Sequence, residues 1–346
     1  MKQILFFILT ICILKAKGQA PSFDTPQWQE IKKEIGNSSI VGLGEIGHGF
    51  ESINQTKSVF VDFLHTELNF QAVMFESSFT ESVIGFLSND FLENRLKNFL
   101  YPFWNTTSVK TALKGFFNDE KHTALPLIIG FDIQEDCRFQ RLSEYLNTKK
   151  LITTNKEKLN ECDSILSFYI GKNFSRKGAI TNPEYLILLR NYELIAGELK
   201  AQNLDTLKQK LLQRSIDNRK WLCKYLTFLS VTQKMYYRDS LMADNIKWLK
   251  NNMYAKNKLI IWAANTHISK VTKSKQPKWM GEWLSYVYLE KYFSISFQKG
   301  QSIGNDISAG NTSFKYFNKP NQKFDLIIYL EKLQKIQSQE WLTPCN

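Results

Sequence analysis

The 346-residue chain carries few histidines (four), five cysteines and eight prolines. These few groups fit no zinc module, because neither Cys nor His recurs at ligand spacing. After the first twenty residues no run is long and apolar enough to cross a bilayer. Internal repeats, low-complexity blocks and nucleic-acid motifs are also missing. The lysines behind the formal charge of +12 are scattered, at most in short groups such as Lys270, Lys273, Lys275 and Lys278. Their scatter fits the plain reading of a lysine-rich, AT-biased genome, with at most a weak attraction to anionic surfaces or substrates, and argues against a nucleic-acid partner. With 43% hydrophobic and 23% charged residues, the composition is that of an ordinary globular enzyme-sized chain.

The N-terminus has its own pattern. Met1-Lys2 is a basic start, Ile4 to Leu14 an apolar core, and Ala16-Lys17-Gly18 offers small residues for cleavage. Residues 1–18 therefore read as a secretory signal peptide, which places the mature chain in the periplasm or outside the cell. Cys12 lies inside the apolar core behind bulky Ile11, which disfavours a lipoprotein site. Cleavage removes Lys2, Lys15 and Lys17 and lowers the charge from +12 to +9. Cys137, Cys162, Cys223 and Cys345 then remain. Export permits pairing, but buried free thiols serve equally well in a chain this large. None has a histidine nearby in sequence, which argues against a cysteine nucleophile.

Short apolar runs mark strands at Ser39–Leu43, Phe70–Phe75, Leu125–Phe131, Lys258–Trp262, Phe293–Phe297 and Phe324–Tyr329. Helical spacing separates the first of these, over Ser52–Leu68 and Thr80–Phe91. This alternation predicts an α/β fold, a central, mostly parallel sheet flanked by helices. Residues 19–346 form that one domain. A large helical insertion or cap covers about 153–254, with long periodic stretches at Glu184–Leu204 and Leu207–Met253. A loop is expected near Gly171–Asn182, and another over Gly300–Asn321.

The chemistry concentrates at strand ends. Gly42-Leu43-Gly44-Glu45-Ile46-Gly47-His48-Gly49 follows the first apolar run. Its glycines match a dinucleotide loop only superficially, since Glu45 would repel a pyrophosphate. They let the backbone turn sharply and let a ligand approach Glu45 and His48. His48 is the candidate proton carrier, against the plainer reading of a hydrogen-bonded histidine at a helix start. Glu45 would orient its ring, or else stabilise a helix dipole. Glu76, at the second strand end, is costly to bury without a partner. His267 follows the Leu259–Trp262 run and gains meaning only if it meets His48. The aromatics Phe103, Trp104, Tyr236 and Tyr237 line a pocket or fill a core.

Six blocks in order resemble the erythromycin esterase family. They are Gly44-Glu45-Ile46-Gly47-His48-Gly49, Phe75-Glu76, Gly130-Phe131-Asp132-Ile133-Gln134, Arg238 to Asn245 with Trp248-Leu249, Trp262 to Ile268, and Met280-Gly281 with Leu284. The resemblance spans roughly Gly42 to Tyr329. It implies water-mediated hydrolysis of an ester or lactone by single displacement, with no metal, cofactor or covalent nucleophile required. It implies that His48 is the general base, that Glu45 and Glu76 position base and water, and that His267 is the second catalytic histidine. Arg238, Lys57 and Asn265 are the candidate substrate-binding residues, and Asn245 accompanies Arg238 as a structural or site-lining partner. Two positions depart from the family pattern. Ala264 stands where the fifth block usually carries a histidine, and Lys57 where an arginine is expected. Both changes weaken polarisation of a carbonyl.

The expected substrate is a small-molecule or saccharide ester in the cell envelope or outside it. Two other readings use the same residues. A metal-dependent hydrolase would take Glu45, His48, Glu76 and His267 as mixed ligands. A catalytically impaired binding protein would keep the scaffold without turnover.

Overall fold

The computed structural model describes residues 22–136, 138–170, 179–270, 277–300, 305–309, 312–317 and 323–336. The signal-peptide segment, Cys137, Cys345 and most of the Gly171–Asn182 loop lie outside them. Six parallel strands form the main sheet: β1 (Ile40–Glu45), β2 (Phe70–Ser78), β3 (Ile128–Asp132), β4 (Lys258–Ala264), β5 (Tyr292–Lys299) and β8 (Leu326–Leu330). They lie in the order β3-β2-β4-β1-β5-β8, and an antiparallel hairpin, β6 (Asn305–Ala309) and β7 (Thr312–Phe317), extends the β8 edge. That hairpin occupies part of the Gly300–Asn321 stretch expected to be a loop; its polar residues hide the strand pattern.

Every residue of β1 is buried, and β4 is buried except at its two ends. Strands covered on both faces read as unbroken apolar runs, which is why these were visible in the sequence. The chain leaves β1, passes outward to β2 and β3, and later returns to fill the gap with β4. The carboxyl ends of β1 to β4 therefore face one crevice beside a reversal of strand order, where open α/β sheets hold ligands. Gly130 in β3 permits the approach of β2: a Cβ there would sit 2.3 Å from the Ser78 carbonyl oxygen. β3 begins at Ile128 rather than Leu125, since Pro126 has no N–H for a ladder.

Helices α1 (Pro26–Ile35), α2 (Glu51–Leu68), α3 (Phe79–Leu87), α4 (Leu92–Phe99), α5 (Thr107–Glu120), α10 (Val231–Asn252), α11 (Asn265–Ile268) and α12 (Met280–Tyr288) accompany the sheet. α3 stops at Leu87, short of the expected Phe91, with Asn89 in the left-handed region. A second apolar core, built around Leu159, Leu188, Ile195, Leu212 and Leu222, unites α6 (Arg141–Thr148), α7 (Lys156–Tyr169), α8 (Asn182–Ala201) and α9 (Thr206–Thr227). Thr181 and Glu184 close a capping box on α8, with Pro183 in the first turn. The stretch of helical spacing over Leu207–Met253 is two helices. It breaks at Phe228, and the Ser230 hydroxyl caps α10. α10 packs on the sheet core through Met242, Ile246 and Leu249, while its Tyr237 and Leu241 rest against the second core. Cys162 and Cys223 are buried free thiols inside that second core, and burial pushes Cys162 up to about 12. Among the described residues no helix is long and apolar enough to cross a membrane.

The two cores meet at a buried ionic joint. Arg219 of α9 pairs with Glu135 at 2.8 Å and lies 4.0 Å from Glu81 of α3. Arg141 of α6 reaches Glu81 and Asp90, while Arg138 pairs with Asp136. Asp163 of α7 also acts on Glu135. Five carboxyls thus share three guanidiniums. Burial, and then the charge of Glu135, raises Glu81 to about 8; burial raises Glu135 to about 7 despite Arg219. The folded protein keeps protons there that the unfolded chain gives up near 4.5, so this joint loses stability as pH rises from about 4.5 toward 8. Glu135→Gln is expected to flatten that decline by up to one proton's slope, about 1.4 kcal/mol per pH unit. Urea midpoints at pH 5, 6, 7 and 8 for the two chains measure it, and parallel curves would refute the assignment.

Candidate active site

β1 ends at Glu45, and the chain turns through Ile46–Phe50 before α2 begins. Gly49 takes φ +86°, a left-handed conformation that a side chain would strain. Gly44 allows α11 to lie on β1, since a Cβ would stand 2.4 Å from Asn265 Oδ1 and 2.5 Å from Ile268 Cδ1. The turn brings His48 Nδ1 to 2.6 Å from Glu45 Oε1. The same oxygen accepts the Trp104 indole N–H at 2.8 Å, and Oε2 accepts Lys57 Nζ at 2.7 Å. Burial would raise the Glu45 carboxyl, but Lys57 and then His48 hold it below its ordinary value. Lys57 is fully buried on α2. Its ammonium also donates to the Ala263 carbonyl and lies 4.3 Å over the Trp262 ring. Burial pushes it down to about 8 against the pull of Glu45. His48 itself is 36% exposed, and its Nε2 bonds to none of the described residues. Phe103 stacks on its ring at 4.5 Å, and Trp104 meets it edge-on at 5.3 Å.

A second group surrounds Glu76. The β2–β3 register shifts between Phe75 and Ser78, and such irregularities re-aim side chains beside sites. Glu76 Oε1 accepts Arg238 Nη2 at 2.7 Å and lies 3.2 Å from His267 Nε2, while Oε2 accepts the Ala264 N–H at 2.9 Å. Although burial opposes it, His267 and Arg238 hold Glu76 well below the usual carboxylate range. Arg238 also forks onto Asp132, Nε meeting both oxygens at 3.0 Å. His267 Nδ1 bonds Asp239 Oδ1 at 2.7 Å, and that oxygen also accepts the Met280 N–H. Burial works against a charged His267, yet Glu76 and Asp239 raise it to about 10. It is therefore an imidazolium at neutral pH, placed 3.4 Å from an Arg238 nitrogen; the surrounding carboxylates make that approach of like charges tolerable.

The two groups share one end of the sheet, because His48 and Lys57 both act electrostatically on Glu76. Glu45, His48, Glu76, Arg238 and His267 converge there. Lys57 stands beneath Glu45. Asn265 donates to the Phe297 carbonyl at 3.3 Å and borders a cavity of about 280 Å³ with Thr266, Ser269, Trp279, Lys323 and Phe324. That cavity is not lined by His48, Glu45 or Glu76. Asn245 serves the scaffold: it donates to Phe131 O and Asn218 and accepts from Arg214, tying α10 and α9 to β3. Sequence reasoning left three partners without roles: Asp132, Asp239 and Trp104. Asp132 ends a strand, the same signal that exposed Glu45 and Glu76, and Asp239 follows Arg238 directly. A guanidinium bonded to Glu76 puts positive charge where a metal ligated by Glu76 and His267 would sit. Among the described residues no three His, Cys, Asp or Glu groups are arranged to hold a metal ion.

Known proteins place this fold. The erythromycin esterase family model matches residues 65–315. YbfO of Bacillus subtilis (strain 168), provisionally named a hydrolase, is 25% identical over 311 residues, covering 82% of this chain and 69% of its own. A Bacillus cereus protein of solved structure superposes with TM-score 0.68 at 18% identity, covering 91% of this chain and 93% of that one. A mutant of the erythromycin esterase EreC in its open conformation gives 0.59 at 15% identity, covering 91% of this chain and 97% of its own. The structural likenesses speak for the α/β fold, and the family match over most of the chain carries the conclusion: this protein belongs to the erythromycin esterase family.

Proposed function

We propose that the protein is a hydrolase that cleaves a carboxylic ester or lactone by direct attack of water. One observation carries the reading: His48 is bonded through Nδ1 to a buried, ionised Glu45, while its ring is partly exposed and Nε2 bonds to none of the described residues. In that state Nε2 accepts a proton from water as the oxygen attacks the carbonyl carbon. The tetrahedral oxyanion forms against the positive charge of His267 and Arg238. The C–O bond then breaks, and the imidazolium of His48 returns its proton to the leaving alkoxide. Glu45 keeps the ring oriented, and Glu76 holds His267 and Arg238 in place.

Charge supports a neutral substrate. Lys57, Arg238 and His267 face Glu45, Glu76, Asp132 and Asp239, so the site offers no surplus positive charge for a phosphate ester. The aromatic surfaces of Phe103, Tyr236 and Trp279 suit an ester on a flat or apolar body, a saccharide ring included. The basic, apolar and small-residue pattern of residues 1–18 supports export. N-terminal sequencing of the expressed protein is expected to begin at Gln19, and an intact Met1 would oppose it.

A second reading, a binding protein on this scaffold, is favoured by Ala264, which leaves the end of β4 without an imidazole. It predicts ligands that raise the melting temperature with no turnover on any ester.

A panel of carboxylic esters, lactones and phosphate monoesters tests the proposal on mature protein, with and without chelator. Carboxylic esters are expected to turn over regardless of chelator, and His48→Ala to lower kcat/KM by about 10²- to 10⁴-fold. Equal rates in the two chains would refute the role of His48. Loss on chelation with return on adding zinc would favour the metal-dependent reading. The rate should also fall as pH climbs through about 10, where His267 gives up its proton. Asp239→Asn removes one of the two acids that raise His267, so the decline should move to lower pH; an unmoved limb would show that His267 charge is not required.

A further inference from the structure

The Pro102–Trp104 turn, one 3-10 turn between α4 and α5, touches both halves of the His48–Glu45 pair. An indole N–H is a donor only. Aimed at Glu45 Oε1, it takes the second lone pair of the oxygen that His48 Nδ1 uses. With Lys57 on Oε2, the carboxylate has donors on both oxygens and is fixed in rotation. A carboxylate so held stays an acceptor, so the shared hydrogen sits on His48 Nδ1 and Nε2 carries the lone pair. Phe103 covers one face of the imidazole, its ring only 16° from parallel, and Trp104 closes another side. A half-turn of the imidazole about Cβ–Cγ, which would put the Cδ2 carbon where Nδ1 meets Glu45, must displace these rings.

The turn is itself anchored. Asn54 of α2, buried, donates to the Phe103 carbonyl at 2.8 Å. Trp104 is fully buried and cannot meet a substrate. We propose that the Pro102–Trp104 turn is the positioning element of this site: Trp104 aims Glu45 and donates to its charged carboxylate, Phe103 holds the ring plane, and together they make Nε2 of His48 the proton acceptor. The proposal rests on the reading of His48 as the base, but its central claim concerns tautomer and orientation, which are measurable without any substrate.

The experiment compares Trp104→Phe and Phe103→Leu with the unaltered mature chain. Long-range ¹⁵N–¹H NMR, with His48 assigned by its loss in His48→Gln, reports the tautomer. The unaltered chain is expected to hold the hydrogen on Nδ1, and each variant to show a mixture. Trp104→Phe leaves Glu45 less well compensated and so a stronger partner for an imidazolium. With an active ester in hand, the acid limb of its kcat/KM profile should move to higher pH, with kcat down about tenfold and KM within twofold. A purely structural tryptophan would lower stability and leave tautomer and limb in place; that result overturns the proposal. Should Trp104→Phe fail to fold, Phe103→Leu decides alone through its tautomer ratio. If no ester is turned over but the tautomer shifts, the enzymatic reading fails while this one stands.

Discussion

A carboxylate buried in a protein interior is unstable unless cations and N–H donors meet it, and that requirement organises this molecule. Glu45 and Glu76 are almost wholly buried near the carboxyl ends of β1 and β2, the two strands that flank β4, and each is answered by partners from distant parts of the chain. Glu45 is met by α2 and by the turn before α5; Glu76 is met by α10, α11 and the end of β4. The sheet could close with apolar residues there instead. Keeping the acids obliges the fold to bring Lys57, Trp104, Arg238 and His267 to one edge, so the charge network both defines the crevice and dictates which helices border it.

The sheet was legible because burial on both faces leaves runs such as Leu259-Ile260-Ile261-Trp262 without polar interruption. The β6–β7 hairpin was not, because an antiparallel edge carries polar residues that resemble loop sequence. The break between α9 and α10 was hidden by helical spacing on either side of Phe228–Ser230, where only the serine cap betrays it. At the site, Glu45, His48, Glu76 and His267 were legible as titratable residues ending apolar runs. Asp132 met the same criterion, but its purpose depends on Arg238, more than a hundred positions away. Trp104 was legible only as an aromatic that lines a pocket or fills a core, since an indole gives no polar role until its N–H is seen to have a destination.

Arg238 and Asp239 show how adjacency in sequence becomes division of labour. On one helix they point to different partners, Arg238 to Glu76 and Asp132, Asp239 to His267 and the Met280 N–H. Asp239 therefore ties α10 to both α11 and α12, and it is one reason His267 remains charged. Gly281 completes the arrangement: a Cβ there would sit 2.4 Å from the Ile268 carbonyl carbon, so α12 reaches its position only with glycine. The same contacts that order these helices set the protonation state of the histidine.

The two departures from the family pattern act on different parts of this network. Ala264 still supplies its backbone N–H to Glu76, so removing an imidazole there leaves the buried carboxylate compensated and subtracts only from what faces the crevice. Lys57 does the reverse. All three directions of its ammonium are occupied, by Glu45, the Ala263 carbonyl and the Trp262 face, so it compensates Glu45 fully but extends no donor toward a ligand. A guanidinium, with five donors in a fork, could meet Glu45 and still present an N–H outward. The ammonium is also titratable within reach of mild alkali, which a guanidinium is not. The charge around the two buried carboxylates is thus kept whole, while Lys57 has no donor left over for a ligand.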